Sequence, residues 1–222
     1  MKLSKRLLAI AELVPKNSIV ADIGSDHGLV LIYLAKNNLI QKGYGVENKV
    51  GPFNILKRAL KPFYWQNLIP ILSDGLLNLA SDVNCLVLAG MGGENIINIL
   101  ENGKENLKNV QFIICDPHTL IPSVRMFLSK NQFQIEDEIL IYEKNQFYEI
   151  SLYQKTKKEI KYSSFEINYG PYISKSSLFP FFAKKRIIKI EQLLKKDLPQ
   201  KNKQLLLKER KELLPYANKY LT

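Results

Sequence analysis

The sequence predicts an α/β protein in which a doubly wound, mostly parallel sheet is closed by a terminal β-hairpin and followed by a small helical domain. Three observations carry this prediction. Five short apolar runs alternate with segments of helical spacing over the first two thirds of the chain. Two extended stretches then follow one another with only a short connection. After residue 155 the composition changes to basic segments with helical periodicity.

The apolar runs predict buried strands at residues 18–23, 42–47, 68–72, 84–89 and 110–115. Each run ends in a Gly, Asp or Ser cluster, which is typical of a loop. Apolar residues at helical spacing follow most of the runs, at Leu29 to Ala35, Phe53 to Leu60, Ile96 to Leu100 and Val124 to Leu128. Continuous apolar strands that alternate with helices indicate a parallel sheet covered on both faces.

The hairpin is predicted from Phe133 to Tyr142 and Phe147 to Tyr153, which Glu143-Lys144-Asn145-Gln146 joins. Four residues leave no room for a crossover helix, so the two strands must pair antiparallel. A parallel sheet closed by such a hairpin is typical of Rossmann-like class I methyltransferases that use S-adenosylmethionine, rather than of most dehydrogenases. Because one fold serves many functions, the function has to be inferred from the residues of the loops that follow the strands.

The positive charge of the chain is concentrated in its last third. Residues 1–155 hold 16 basic and 15 acidic side chains, whereas residues 156–222 hold 16 basic and 6 acidic ones. Clustered Lys and Arg bind phosphate backbones by releasing counterions, so this part is predicted to bind a polyanion. A Lys-rich composition bias is the alternative, but it would affect both parts equally.

Two coiled-coil-like helical segments are predicted in this basic part, from about Leu178 to Lys196 and from Lys201 to Leu214, after a Ser/Tyr/Pro-containing linker at 161–177. One apolar stripe, formed by Ile187, Ile190 and Leu194, predicts that the helices pair as an antiparallel hairpin with a basic face. The alternative is a solvated hairpin that serves for dimerisation.

Composition excludes several other classes. No run approaches the roughly 18 apolar residues of a membrane span. The first fifteen residues read as an amphipathic helix rather than a signal peptide, because Glu12 interrupts the apolar stretch. Cys85 and Cys115 lie inside apolar runs, which indicates buried thiols rather than a disulfide or zinc site. We therefore expect a cytoplasmic protein with no metal, no membrane partner and no obligate protein partner.

The loop after the first strand reads Asp22-Ile23-Gly24-Ser25-Asp26-His27-Gly28. A dinucleotide fingerprint needs glycine where Asp26 stands, and a carboxylate there would repel a pyrophosphate, so a nicotinamide cofactor is disfavoured. The loop fits instead the acidic-x-Gly-x-Gly-x-Gly pattern of methyltransferases, with Asp26 in place of the middle glycine. Gly24 and Gly28 would let the backbone approach the ligand, and Asp22 would attract the ammonium group of methionine.

Three further loops follow strands that lie beside the first: Val46-Glu47-Asn48, Ser73-Asp74-Gly75 and Ala89-Gly90-Met91-Gly92-Gly93. Ligands of doubly wound sheets bind beyond the carboxyl ends of the strands, so the four loops are expected to converge on one crevice. There the Glu47 carboxylate would accept hydrogen bonds from the ribose hydroxyls of an adenosine, and the Asp74 carboxylate would accept one from the adenine amino group. A solvent-facing glutamate and a plain Asp-Gly turn are the respective alternatives.

Asp26 and His27 are the candidate catalytic residues, since a charged pair inside a glycine loop is costly to bury unless it meets a ligand. The alternative is that Asp26 caps the helix that begins near Gly28. The fourth loop lacks the Asn or Asp, Pro-Pro and aromatic residue of enzymes that methylate exocyclic nitrogens. A ring nitrogen is therefore the better acceptor.

The segments ADIGSDHG and VLAGMGG, together with the basic helical tail, resemble the bacterial tRNA (adenine(22)-N(1))-methyltransferases, the TrmK family. The resemblance implies methyl transfer from S-adenosylmethionine to N1 of adenine 22 in the D arm of tRNA. It leads us to expect that Asp26 stabilises the cationic product ring and that His27 orients cofactor or base. One departure stands after the fifth strand, where Cys115-Asp116-Pro117-His118 replaces the expected Gln-Pro-Asn.

Two domains are predicted on this basis: a methyltransferase domain at 1–155 and a basic tRNA-binding domain at 156–222. The residues expected to bind the cofactor are Asp22, Gly24, Ser25, Asp26, His27, Gly28, Glu47, Asn48, Asp74, Gly75, Gly90, Met91 and Gly92. Those expected to contact RNA are Lys184, Lys185, Arg186, Lys189, Lys195 and Lys196. Two alternatives stay open: a methyltransferase for another RNA base or a non-RNA acceptor, and a non-catalytic RNA-binding protein with a degenerate fold.

Overall fold

The sheet of the computed structural model has seven strands. The structure describes residues 3–218, so residues 1–2 and the last four residues of the predicted basic domain lie outside it. The strands are β1 (Ser18–Ile23), β2 (Ile40–Glu47), β3 (Leu68–Leu72), β4 (Cys85–Met91), β5 (Phe112–Pro117), β6 (Phe133–Glu143) and β7 (Gln146–Lys155).

The strand order is β3-β2-β1-β4-β5-β7-β6. The first five strands run parallel, and β7 lies antiparallel between β5 and β6. This confirms the predicted doubly wound sheet and its terminal hairpin. The hairpin is tighter than predicted, because only Lys144 and Asn145 form the turn, with φ of 49° and 62°. Positive φ at both central residues is the mark of a type I′ turn, whose twist matches that of the strands.

Eight α-helices are described: α1 (Lys5–Leu13), α2 (Leu29–Lys36), α3 (Val50–Leu60), α4 (Gly93–Asn102), α5 (Ile121–Lys130), α6 (Ser164–Tyr169), α7 (Phe179–Leu194) and α8 (Gln200–Ala217). The first three cover one face of the sheet, and α4 and α5 cover the other. Neighbouring residues of β1 divide accordingly, with Val20 in one apolar core and Ala21 in the other. Cys85 and Cys115 are buried free thiols, as predicted. Within residues 3–218, no helix combines the length and apolar character that crossing a bilayer requires.

The predicted linker at 161–177 contains a short helix, α6, that the sequence analysis did not predict. Ser163 and Glu166 form a capping box: the Ser163 hydroxyl accepts from the Glu166 N–H, and the Glu166 carboxylate accepts from the Ser163 N–H. Two backbone donors at the helix start are thereby satisfied. The helix then ends at Gly170, which has a φ of 73°.

Helices α7 and α8 pair with one another and also pack on the hairpin. Their core contains the predicted stripe residues Ile187 and Ile190, with Leu194 packed against it, and it extends to Leu140 on β6. The ring centroids of Tyr142 and Phe181 lie 5.0 Å apart. The helical part therefore shares its apolar core with the sheet.

Arg125 joins α5, the hairpin and α6 through a fully buried guanidinium. It pairs with Glu138 at 3.0 Å and Glu149 at 2.9 Å, and it donates to the carbonyls of Ile167 and Asn168 at 3.2 Å. Buried charges are tolerated only when they are paired and hydrogen-bonded in this way. This network fixes the segment that leads into the helical part.

Candidate active site

Two cavities open at the edge of the sheet where β1, β2, β3 and β4 end. One, the β2–β3 lobe, has a volume of about 100 Å³, and its walls include Glu47, Asn48, Asp74, Gly75 and Met91. The other, the α1 lobe, has a volume of about 260 Å³, and its walls include Arg6, Asp22, Ser25, Asp26, His27 and Gly90. Gly24 lines both lobes. The four predicted loops therefore meet at one place, as two lobes separated by the glycine loop.

The glycine loop turns sharply because three of its residues have left-handed backbones. The φ angles are 72° at Gly24, 52° at Asp26 and 64° at Gly28. Aspartate is one of the few non-glycine residues that adopt this conformation readily. The side chains of Asp26 and His27 are 75% and 57% exposed, with Oδ1 and Nε2 3.7 Å apart. Gly28 is the N-cap residue of α2 and no side chain caps the helix, so the capping interpretation of Asp26 is wrong.

Glu47 connects the end of β2 to this loop. Its Oε1 accepts a hydrogen bond of 2.6 Å from the backbone N–H of Asp26. The residue is only 9% exposed, so the solvent-facing interpretation is wrong. No hydrogen bond within the described part of the chain uses Oε2. One carboxylate oxygen thus holds the loop, and the other is free for a ligand in the β2–β3 lobe.

Asp22 is a buried carboxylate at the base of the α1 lobe. It is 6% exposed and accepts a hydrogen bond of 2.7 Å from the Ser25 hydroxyl. Burial raises the pKa of Asp22 to about 6; the Ser25 hydrogen bond opposes the rise, and the charge of Glu47 adds to it. Among residues 3–218, no cationic side chain pairs with it. A cationic ligand group would therefore be attracted here.

Asp74 is part of a turn and also faces the β2–β3 lobe. The turn is present, because the Asp74 carbonyl accepts from the Leu77 N–H at 3.2 Å and Gly75 has a φ of 55°. The Asp74 carboxylate accepts a long hydrogen bond of 3.4 Å from the Asn48 side chain. The two interpretations of this residue are compatible, since the turn is made by the backbone and leaves the exposed carboxylate available.

The glycines of the fourth loop permit close packing. Gly90 has a φ of 75°, a left-handed backbone that favours glycine, and a Cβ there would lie 2.9 Å from Nη2 of Arg6 on α1. Gly28 and Gly92 line neither lobe. A Cβ at Gly28 would lie 2.8 Å from Cδ2 of Leu60. Close packing of the loop against α3 is therefore a reason for glycine at this position. The predicted cofactor contacts of Gly28 and Gly92 stay predictions.

Sequence reasoning missed Arg6 and Asp116, which form an ion pair beside the α1 lobe. Asp116 and Pro117 belong to β5 itself rather than to a loop after it. The Asp116 side chain is fully buried, its Oδ1 has no hydrogen-bond partner in the described structure, and burial raises its pKa while Arg6 opposes the rise. The guanidinium of Arg6 also lies 5.0 Å from the ring centroid of Tyr148. The only sequence feature that could have indicated this pair is the position of Arg6 on the predicted amphipathic helix.

The six basic residues predicted to contact RNA divide into two groups. Lys184, Lys189, Lys195 and Lys196 are exposed. Lys185 is half-buried, with Nζ 3.0 Å from the Tyr142 hydroxyl, and Arg186 makes two hydrogen bonds of 2.6 and 2.8 Å to Glu209. The first group is available to an external anion, whereas the second is engaged within the protein.

The family model described as a methyltransferase domain matches residues 3–151. The tRNA (adenine(22)-N(1))-methyltransferase of Bacillus subtilis is 30% identical over 188 residues, which cover 84% of this chain and 77% of that protein. The crystal structure of B. subtilis TrmK, an m1A22 tRNA methyltransferase, is 27% identical with a TM-score of 0.79, covering 96% of this chain and 95% of that one.

A Streptococcus pneumoniae protein solved in complex with S-adenosyl-L-methionine is 28% identical with a TM-score of 0.88. The match covers 97% of this chain and 99% of that chain, so it includes the helical part as well as the sheet. Fold, site loops and sequence identity therefore agree with the resemblance of the glycine loop and the VLAGMGG segment. The chain belongs to the TrmK family of S-adenosylmethionine-dependent tRNA (adenine(22)-N(1))-methyltransferases.

Proposed function

We propose that this chain transfers the methyl group of S-adenosylmethionine to N1 of adenine 22 in tRNA. The observation that carries the proposal is the exposed Asp26-His27 pair of the glycine loop, which lines the α1 lobe together with the buried Asp22. We infer that residues 1–155 hold the cofactor and residues 156–222 grip the RNA, with the cytoplasm as the place of action.

The residues of both lobes fit the cofactor. The buried Asp22 has no cationic partner within residues 3–218, and an ammonium group would supply one. Glu47 keeps one carboxylate oxygen for the ribose hydroxyls, and Asp74 offers an exposed carboxylate to the adenine amino group. Gly24, between the lobes, lets the ligand approach the backbone.

S-adenosylmethionine, when bound, supplies an electrophilic methyl group. The N1 lone pair of adenine is a sufficient nucleophile, so the work of the protein is to position the base and to stabilise charge. The methylated ring is cationic, and the Asp26 carboxylate stabilises that charge as it develops. His27, at 3.7 Å from Asp26, orients the pair toward the base. The fourth loop has no Asn or Asp side chain that could accept a hydrogen bond from an exocyclic amine. This favours the ring nitrogen N1 over the exocyclic amine as the methyl acceptor.

The exposed lysines of α7 and of the turn after it bind the tRNA. Lys184, Lys189, Lys195 and Lys196 attract the phosphate backbone, which positions an RNA without reading its sequence. N1 lies on the pairing edge of adenine, so the base has to leave its stack before it can react.

The test incubates the purified protein with unmodified tRNA and S-adenosylmethionine, digests the RNA and identifies the nucleosides by mass spectrometry. We expect 1-methyladenosine, at most one per tRNA. Asp26→Asn should lower the turnover rate about 100-fold while cofactor affinity, measured by calorimetry, stays within twofold of the parent. Formation of N6-methyladenosine, or of no methylated nucleoside by a protein that binds the cofactor, would contradict the proposal.

A further inference from the structure

We propose that the exposed ring of His118 is the surface on which the target adenine stacks once it has left the RNA helix. This inference rests on the proposed function and adds the binding site for the acceptor base.

The first argument is position. The backbone N–H of His118 donates to the carbonyl of Met91 at 2.9 Å, and the N–H of Gly93 donates to the carbonyl of Thr119 at 3.1 Å. These bonds hold the start of the β5–α5 loop against the Gly-Met-Gly-Gly segment. That segment lies at the edge of the sheet where the β2–β3 lobe and the α1 lobe open. The side chain of His118 is nevertheless exposed.

The second argument is the support of the ring. His118 meets Tyr148 edge to face, with centroids 6.2 Å apart and an interplanar angle of 62°. Tyr148 lies 5.0 Å from the guanidinium of Arg6, which the buried Asp116 holds. This series of contacts leads from His118 to the α1 lobe, since Arg6 forms part of its wall. Arg6 and Tyr148 are thus positioning residues for the ring.

The third argument is space. His118 lines a cavity of about 550 Å³ between the β5–α5 loop and helices α6, α7 and α8. This volume lies within the range of small-molecule sites, which runs from about 300 to 1,000 Å³. Lys208 and Glu212 are both in the wall, and Arg186 is neutralised by Glu209. Mixed charge of this kind suits a neutral base and sugar better than an isolated phosphate.

Strain in the same loop agrees with a role in substrate binding. Leu120 has a φ of 53°, in the left-handed region that a branched apolar residue rarely adopts, and its side chain is 52% exposed. Backbone conformations of this kind persist when the surrounding structure holds them, and they concentrate at functional sites. The loop therefore presents His118 and Leu120 from a fixed frame.

The test compares His118→Ala, which removes the ring, with His118→Phe, which keeps a ring. The matched control is Trp65→Ala, an exposed aromatic residue that precedes β3 at the opposite edge of the sheet. Each full-length variant is assayed for single-turnover methylation of tRNA, for cofactor affinity and for thermal stability. Fluorescence of tRNA with 2-aminopurine at position 22 reports extrusion of the base.

We expect His118→Ala to methylate about 10- to 100-fold more slowly, which corresponds to the loss of one base–aromatic stack. Its cofactor affinity should stay within twofold, and its 2-aminopurine signal should fall. The methylation rate of His118→Phe should stay within about threefold of the parent's rate, and the rate of Trp65→Ala should equal that of the parent.

Three results would overturn the inference: methylation by His118→Ala at the rate of Trp65→Ala, equal losses in His118→Ala and His118→Phe, or a parallel loss of cofactor affinity. Each of these leaves the proposed function standing, provided that the parent protein forms 1-methyladenosine. If the parent forms none, the proposed function itself fails.

Discussion

The Oε1 atom of Glu47 accepts a hydrogen bond of 2.6 Å from the backbone N–H of Asp26. A residue at the end of β2 thus fixes the candidate catalytic residue, which stands in the loop after β1. Because the bond uses the backbone of Asp26, the Asp26 side chain remains exposed and free to meet the substrate. In the proposed function, binding of the ribose and presentation of Asp26 would therefore be coupled through one carboxylate.

The first prediction concerns this coupling. Glu47→Ala removes both the proposed ribose acceptor and the anchor of the glycine loop, so cofactor affinity should fall about 10- to 100-fold, as expected for a lost hydrogen bond to a charged group. Glu47→Gln keeps a carbonyl oxygen for the Asp26 N–H, and it should lose less. Isothermal titration calorimetry measures both. Equal affinities of Glu47→Ala and the parent would contradict the assignment.

The second prediction is a pH dependence that arises from Asp22. Its pKa of about 6 means that the carboxylate is ionised at pH 7 and mostly protonated at pH 5. Only the ionised form attracts an ammonium group, so the affinity for S-adenosylmethionine should be about tenfold weaker at pH 5 than at pH 7. Calorimetry across this range measures the effect.

Asp22→Asn is the variant that isolates this group. It should bind the cofactor weakly and with little change between pH 5 and 7, whereas Asp82→Asn, remote from the lobes, should keep the parent's pH dependence. Since burial raises the pKa of Asp22, the ionised form destabilises the fold above pH 6, and below about pH 4 the effect disappears. The melting temperature of Asp22→Asn at pH 8 should therefore exceed that of the parent. An unchanged pH profile in Asp22→Asn would refute this account.

The third prediction concerns the buried Arg125. Arg125→Met leaves the carboxylates of Glu138 and Glu149 buried without their cation, so the free energy of unfolding should fall by about 3–5 kcal/mol in denaturant titrations. Arg58→Met removes an exposed arginine of α3 and should change it by less than about 0.5 kcal/mol. A loss below about 1 kcal/mol in Arg125→Met would show that the network does not stabilise the fold.

The fourth prediction concerns the exposed lysines Lys184, Lys189, Lys195 and Lys196. Their joint replacement by glutamine should weaken tRNA binding and reduce the slope of log affinity against log salt by about three, because each phosphate contact contributes about 0.7–0.9. Cofactor affinity should not change. Removal of residues 156–222 is a poorer test, because it would expose Leu140 and leave Arg125 without two carbonyl partners.

The control for this experiment replaces four exposed lysines of the first 155 residues: Lys16, Lys57, Lys61 and Lys104. It removes the same charge from surfaces away from α7. If both sets reduce the salt slope equally, net charge rather than a specific basic face binds the tRNA.

The local features of the fold were predictable from the sequence. The bounds of β1 and β3 are the predicted ones, because each mainly apolar run lies between residues typical of turns, Asn17 and Gly24 for β1 and Asn67 and Ser73 for β3. The convergence of Asp22, Glu47 and Asp74 was also predictable, since it follows from the parallel order of the strands. The capping box of Ser163 and Glu166 was readable from the Ser-x-x-Glu spacing and was missed.

The long-range parts of the site were not predictable in this way. Arg6 and Asp116 are 110 positions apart, and nothing in the periodicity of either segment indicates that they meet. The same holds for Arg125, whose carboxylates and carbonyl acceptors come from three later segments. Such pairs form because the sheet order brings β5 beside β7 and α1 over both. Their existence depends on the completed fold rather than on local pattern.

The most direct test of the central claim uses two synthetic tRNAs that differ at one atom. In one, position 22 is adenosine; in the other, it is 1-deazaadenosine, which has carbon in place of N1 and retains the exocyclic amine. With S-adenosylmethionine, we expect about one methyl group per tRNA on the first and none on the second, measured by mass spectrometry of the intact RNA. Equal methylation of both would show that N1 of adenine 22 is not the acceptor, and would contradict the account.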